Sequence, residues 1–127
     1  MRVADVMNPD PVAVTPGESA ISAAALMARI DVGTLPVCDG ERLVGLVCGR
    51  DIAGRDGGDL CVAEVMQGSV RYLTEEDDPR AAELLMDDLH VRRMPVVDVE
   101  RRLVGIVTRG DCAAVEAQAE RDGAAGR

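Results

Sequence analysis

VADVM at residues 3–7 recurs as VAEVM at residues 62–66, LPVCD at 35–39 as MPVVD at 94–98, and RLVGLV at 42–47 as RLVGIV at 102–107. The first two pairs share one offset and the third is one residue longer. A single insertion therefore lies in the turn at 39–42 against 98–102. Ordered motifs at constant spacing mark an internal repeat, and a repeat of this kind must bury its apolar face against a neighbour. The chain divides into repeat one, residues 1–58, repeat two, residues 59–121, and a tail, 122–127, expected to fray.

Both repeats parse alike. A short extended run at 12–15 or 70–74 follows the V-A-x-V-M turn. A helix comes next, with Ser19 and Asp78 as matched N-caps and Pro79 at the first helical position. Ala23, Leu26, Met27 and Ile30 fall at helical spacing, and Ala82, Leu85, Met86 and Leu89 repeat the stripe. Two β-rich runs follow, 35–38 with 43–47 and 94–97 with 103–107. Asp39-Gly40 marks the first hairpin turn. A closing helix ends each copy, brief at 51–53 and longer over about 111–120. The reading is α+β: two pseudo-symmetric β-α-β-β-α repeats packed sheet to sheet, since neither copy alone covers both sides of its sheet. Met7 and Met66 read as core plugs between the repeats.

Composition narrows the function classes. Hydrophobic residues make up 47% of the chain, too many for disorder, yet Trp and Phe are absent and there is one Tyr. The core must be aliphatic, and Tyr72 is expected to pack in a strand. Fourteen basic against 23 acidic residues give a net charge of −9, which disfavours nucleic acid as a partner. No apolar run reaches membrane-spanning length and no signal segment opens the chain, so a cytoplasmic protein is expected, with no membrane partner. Cys38, Cys48, Cys61 and Cys112 lack metal-ligand spacing and read as free thiols, with the Cys38 thiolate disfavoured by burial. One His, no paired nucleophile and base, and no Gly-rich phosphate loop speak against an enzyme. His90 reads as a cap residue at a helix end. Arg50 and Arg109 open helices, where a cation is disfavoured by the dipole, so each is expected to have a carboxylate or ligand partner.

The doubled V-x-x-V-M, the P-V-x-D strand, the L-V-G-h-V strand (h apolar) and an Asp four residues beyond its last Val resemble the CBS-domain pair, or Bateman module. The resemblance covers about residues 3–112 and is particularly similar to stand-alone bacterial pairs of the hypoxic-response type. It implies a regulatory module binding an adenosine nucleotide (AMP, ADP, ATP or S-adenosylmethionine) in a cleft between the repeats, with no cofactor required. It implies ribose contact by Asp51 and Asp111 and phosphate contact by Thr108. Basic residues before the strand proline, Arg92 and Arg93 ahead of Pro95, are implied phosphate ligands, whereas Gly33 and Thr34 precede Pro36 without charge. Repeat one carries Cys48 where repeat two has Thr108. Sites in this family are composite, so Arg92 and Arg93 are expected to face the Asp51 site, which lacks the hydroxyl, and Thr108 and Asp111 to face uncharged Gly33 and Thr34. Each site then lacks one component, and binding is expected to be weak or single-site. The resemblance also implies a homodimer, through Ala-rich segments 22–28 and 113–119, and a separate effector protein. The alternative is a ligand-free dimeric CBS scaffold for protein–protein interaction. Beside these readings, Asp51 and Asp111 also suit a helix N-terminus, Thr108 a helix cap, and the arginine pair ion pairing with the acidic residues 75–78.

Overall fold

The apolar stripes form two matched helices, α1 (Ala20–Ile30) and α4 (Pro79–Leu89). Ser19 caps α1 by accepting the Ser22 N–H at 3.4 Å, and Asp78 caps α4 by accepting the Arg80 N–H at 3.2 Å, with Pro79 opening the helix. Ala20, Ala23 and Met27 are buried on α1, as are Ala82 and Met86 on α4, with Leu26, Leu85 and Leu89 packed beside them. Ile30 leaves the stripe and is exposed, because α1 ends there. Both helices stop at a left-handed residue that is not glycine, Asp31 (φ 58°) and His90 (φ 56°).

The computed structural model describes residues 1–54 and 59–115. Two compact units emerge, and they cut the chain at different places from the sequence repeats. One is Val12–Val70; the other joins Met1–Pro11 to the described residues from Arg71 onward. Mixed helices and small sheets make each unit α+β, as expected.

In the Val12–Val70 unit, β1 (Thr34–Asp39) pairs antiparallel with β2 (Arg42–Cys48) across a turn at Gly40. The expected run at 12–15 contributes a single parallel bridge, Val14 to Val37. Val14 uses the Pro36 carbonyl (3.0 Å) and the Cys38 N–H (2.9 Å), and Pro36 has no N–H with which to extend that ladder upstream. The short helix α2 (Gly49–Ala53) starts earlier than the sequence suggested, and α3 (Val62–Val65) is the V-A-E-V turn. The other unit repeats the plan. There β3 (Leu73–Thr74), shorter than the expected 70–74, runs parallel to β4 (Arg93–Val97), which pairs antiparallel with β5 (Leu103–Thr108). The extra residue falls in the β4–β5 turn, held by Asp98, whose carboxylate accepts the Glu100 and Arg102 N–H groups at 2.9 Å each. Arg101 there is left-handed (φ 67°) and stacks over Tyr72, 5.0 Å from the ring centre, so the ring lies at the surface rather than in the core. Residues 109–115 are helical; the rest of the expected closing helix and the tail lie outside the described residues.

Each unit takes its V-A-x-V-M segment from the other sequence repeat. The Val3 and Ala4 N–H groups donate to the Asp77 and Glu75 carbonyls at 2.8 and 3.1 Å. Val62 and Ala63 donate to Glu18 and Pro16 at 2.8 and 2.9 Å, the matching positions. Asn8 then pairs antiparallel with Ile106, and Gln67 with Leu46. The glycine of L-V-G-h-V is required by this overlay. A Cβ on Gly45 would meet Met66 Sδ at 2.7 Å and the Gln67 carbonyl at 2.9 Å; one on Gly105 would meet Met7 Sδ and, at 2.8 Å, the Asn8 carbonyl. Met7 and Met66 therefore plug between the sequence repeats, as expected, each lying over the sheet of the opposite repeat. Val3 and Val62 are fully buried in their respective cores.

Candidate functional site

The sheet register gathers the candidate residues at the end of each hairpin. Thr34 lies opposite Cys48 in β1–β2, and Arg93 opposite Thr108 in β4–β5. The chain then turns into a helix, held by Gly49 N–H donating to the Gly33 carbonyl (2.9 Å) and Arg109 N–H to the Arg92 carbonyl (2.7 Å). Asp51 and Asp111 occupy the first turns of these helices.

Arg92, Arg93, Thr108 and Asp111 thus share one end of the β4–β5 hairpin. Thr108 Oγ1 accepts the Asp111 N–H at 3.1 Å and so caps the helix. Its hydroxyl proton remains available to an acceptor, so capping and anion contact are compatible. The Asp111 carboxylate is exposed and has no hydrogen bond or ion pair among the described residues. Arg92 and Arg93 are exposed and likewise have no ion pair there, including with the acidic residues 75–78.

The flanking arginines differ. Arg109 is held by Asp87, Nε to Oδ1 at 2.5 Å, and lies 3.9 Å from Glu83, which satisfies the expectation of a carboxylate partner. The hydrogen bond from Arg109 holds the Asp87 carboxyl below its ordinary range. Arg50 is exposed with no ion pair among the described residues.

At the β1–β2 end, Cys48 precedes α2 and gives it no side-chain cap. Its sulfur instead accepts from Thr34 Oγ1 (3.4 Å) and Gln67 Nε2 (3.9 Å). Gln67 Nε2 also donates to Asp51 Oδ2 at 3.3 Å. Sequence reasoning missed Gln67; the available signal was its place directly after V-A-E-V-M, matching Asn8. Pro36 and Pro95 are buried within β1 and β4, opposite Leu46 and Ile106.

Among the described residues no cluster of His, Cys, Asp or Glu is arranged to hold a metal ion, and no helix is long and apolar enough to cross a membrane. Cys38 and Cys112 are buried free thiols. Burial raises both, Cys112 to about 11 with help from the charges of Asp111 and Glu83. His90 is exposed and ends α4.

Comparison with known proteins gives this geometry a context. The chain is 36% identical to hypoxic response protein 1 of Mycobacterium tuberculosis over 116 residues, covering 86% of this chain and 80% of that protein. Its fold matches the crystal structure of CBSX2 in complex with AMP with a TM-score of 0.82 and 30% identity, covering 94% of this chain and 98% of the other. The CBS domain pair of protein MJ0100, in complex with 5-methylthioadenosine and S-adenosyl-L-methionine, matches with a TM-score of 0.78 and 26% identity, over 94% and 98% of the two chains. The CBS domain pattern itself matches twice, at residues 3–57 and 62–117. With both the doubled sequence motifs and the doubled sheet accounted for, the chain belongs to the CBS domain family and carries two CBS domains in tandem.

Proposed function

We propose that the chain is a regulatory module that binds an adenosine nucleotide, one of AMP, ADP, ATP or S-adenosylmethionine, and that it needs no cofactor and catalyses no reaction. Asp51 and Asp111 are the ribose acceptors of this reading, since a carboxylate matches a vicinal diol. Arg92, Arg93 and the Thr108 hydroxyl are its phosphate contacts, and Pro36 and Pro95, within the strands that carry them, complete the ligand-binding set. The observation that carries the reading is that the Arg92 and Arg93 guanidiniums and the Asp111 carboxylate, carried with Thr108 at the end of the β4–β5 hairpin, are free of ion pairs among the described residues and so available to a ligand. The adenosine ligands of CBSX2 and MJ0100 support the choice of ligand class. Signalling then requires different affinity for two states of the protein and an effector protein to read them, in the cytoplasm.

The test is thermal stability against AMP, ADP, ATP, S-adenosylmethionine and NADH, with Asp51→Ala and Asp111→Ala as controls. Ligand at ~100 times its Kd stabilises by about 2.7 kcal/mol, a rise of several degrees. A rise lost in one Asp variant supports the reading and identifies the working carboxylate; no rise with any ligand overturns it. The uncapped start of α2 favours one competing reading, a ligand-free scaffold for a protein partner. Both readings include a homodimer, which a monomeric mass by light scattering at micromolar concentration would refute.

A further inference from the structure

Gln67 stands apart from the other polar side chains near the candidate residues because it touches one of them directly. Its amide nitrogen has two hydrogens and two acceptors in reach, Cys48 Sγ at 3.9 Å and Asp51 Oδ2 at 3.3 Å. The sulfur, itself held by Thr34 Oγ1, anchors the amide, and the amide in turn fixes one carboxylate oxygen. The backbone of Gln67 is independently pinned by its paired hydrogen bonds with Leu46, 2.8 and 3.0 Å. Asp51 Oδ1, and one lone pair of Oδ2, stay free to accept from a ligand.

The matched position in the other unit behaves differently. Asn8 has the same backbone pairing, with Ile106, but its Oδ1 turns to its own chain and accepts the Asp10 N–H at 3.0 Å. Asp111 receives no side-chain donor among the described residues. The flanking cation is also free only beside Asp51, because Arg109 is held by Asp87 and Glu83 while Arg50 has no ion pair among the described residues.

We infer that Gln67 is a positioning residue that orients Asp51 as the acceptor for a ribose diol, so that of the two matched carboxylates Asp51 is the working one. Cys48 is then the anchor of that amide rather than a defective copy of Thr108. This inference rests on the adenosine-nucleotide reading and adds which carboxylate serves it and what prepares that carboxylate. Fixing a carboxylate before binding removes an ordering cost otherwise met on association.

The experiment is calorimetric titration of the full chain with AMP and with 2′,3′-dideoxy-AMP, using wild type, Gln67→Ala, Asp51→Ala and the double variant. Gln67→Ala is expected to weaken AMP binding about threefold to tenfold. Its melting temperature without ligand should be unchanged, because the side chain is exposed. The same substitution should have no effect on dideoxy-AMP, nor on AMP in the Asp51→Ala background. An equal loss with dideoxy-AMP or in the Asp51→Ala background would mean that Gln67 does not act through the carboxylate, and would overturn the inference. So would unaltered AMP affinity in Gln67→Ala, while leaving the nucleotide reading intact. A wild-type chain that ignores AMP and the whole ligand panel would overturn both.

Discussion

At the scale of single residues, the repeated glycine shows why a motif can be invariant between two copies without touching a ligand. Gly45 and Gly105 lie under a methionine and a backbone carbonyl that leave no room for a Cβ. The sulfur end of Met66 can swing away, but the Gln67 carbonyl is held by its hydrogen bond from Leu46. Gly45→Ala and Gly105→Ala should each therefore cost about 1–3 kcal/mol in urea denaturation, the range of an overpacked core. Repeating the measurement with Met66→Ala should recover only part of the loss at Gly45. Cys48 offers the opposite sign. A hydroxyl there would cap α2 as Thr108 caps the helix beginning at 109, so Cys48→Thr should add about 1 kcal/mol of stability and Thr108→Ala should remove a similar amount. The matched aspartates were legible in the sequence because the repeat aligns them. Their unlike surroundings were not, because the Gln67 contact is made by a residue distant in the chain.

At the scale of elements, the helices were the most legible parts. Stripe, cap and first-turn proline all agree in α4, and nothing tertiary has to override them. The extended runs before them pair over less of their length than their residues suggest, since their pairing is set by the partner strand: the proline of β1 supplies no donor beyond the Val14 bridge. The helix ends carry a stored cost, for His90 adopts a left-handed conformation that glycine reaches freely. His90→Gly should stabilise the protein by about 0.5–1 kcal/mol in thermal or urea melts. The closing helix is anchored differently, by the fully buried Cys112. Its folded-state pKa of about 11 lies above the ordinary thiol value of 9.0, so folding favours the protonated form. The stability this represents is fully present below pH 9 and declines as pH rises toward 11, at no more than about 1.4 kcal/mol per pH unit. Cys38 is shifted in the same direction by burial and adds to the slope. Melts in reductant at pH 7, 9 and 10.5 should show the decline, and the Cys38→Ala/Cys112→Ala double variant, less stable at pH 7, should show a shallower one.

At the scale of the whole molecule, the repeat is plain in the sequence while the exchange of the V-A-x-V-M segments between the two units is not. VADVM and VAEVM are chemically equivalent, so nothing in their composition says which sheet each one covers. The hydrogen bonds decide it: residues 3–4 join 75–77, and residues 62–63 join 16–18. Each unit consequently depends on a segment encoded in the other sequence repeat. Without residues 1–11, the unit containing β4 and β5 loses buried Val3, the Met7 plug, the Asn8–Ile106 pairing and the ion pair of Arg2 with Glu76. Burial of one valine of this kind contributes about 1.5–3 kcal/mol, a large share of the stability of a small domain. Cutting the chain at its sequence boundary should therefore leave neither half well folded. Residues 1–58 and 59–121, produced separately, are expected to give weak circular dichroism and rapid amide exchange, and to gain cooperative structure when mixed, as each supplies the segment the other lacks. Recombining halves cut at 11 and 70 would distinguish the cause: residues 12–70 contain one whole unit and should fold alone, with slow exchange at Val37 and Val47. A cooperative melt from isolated residues 1–58, equal to that of residues 12–70, would show that the exchanged segment is dispensable.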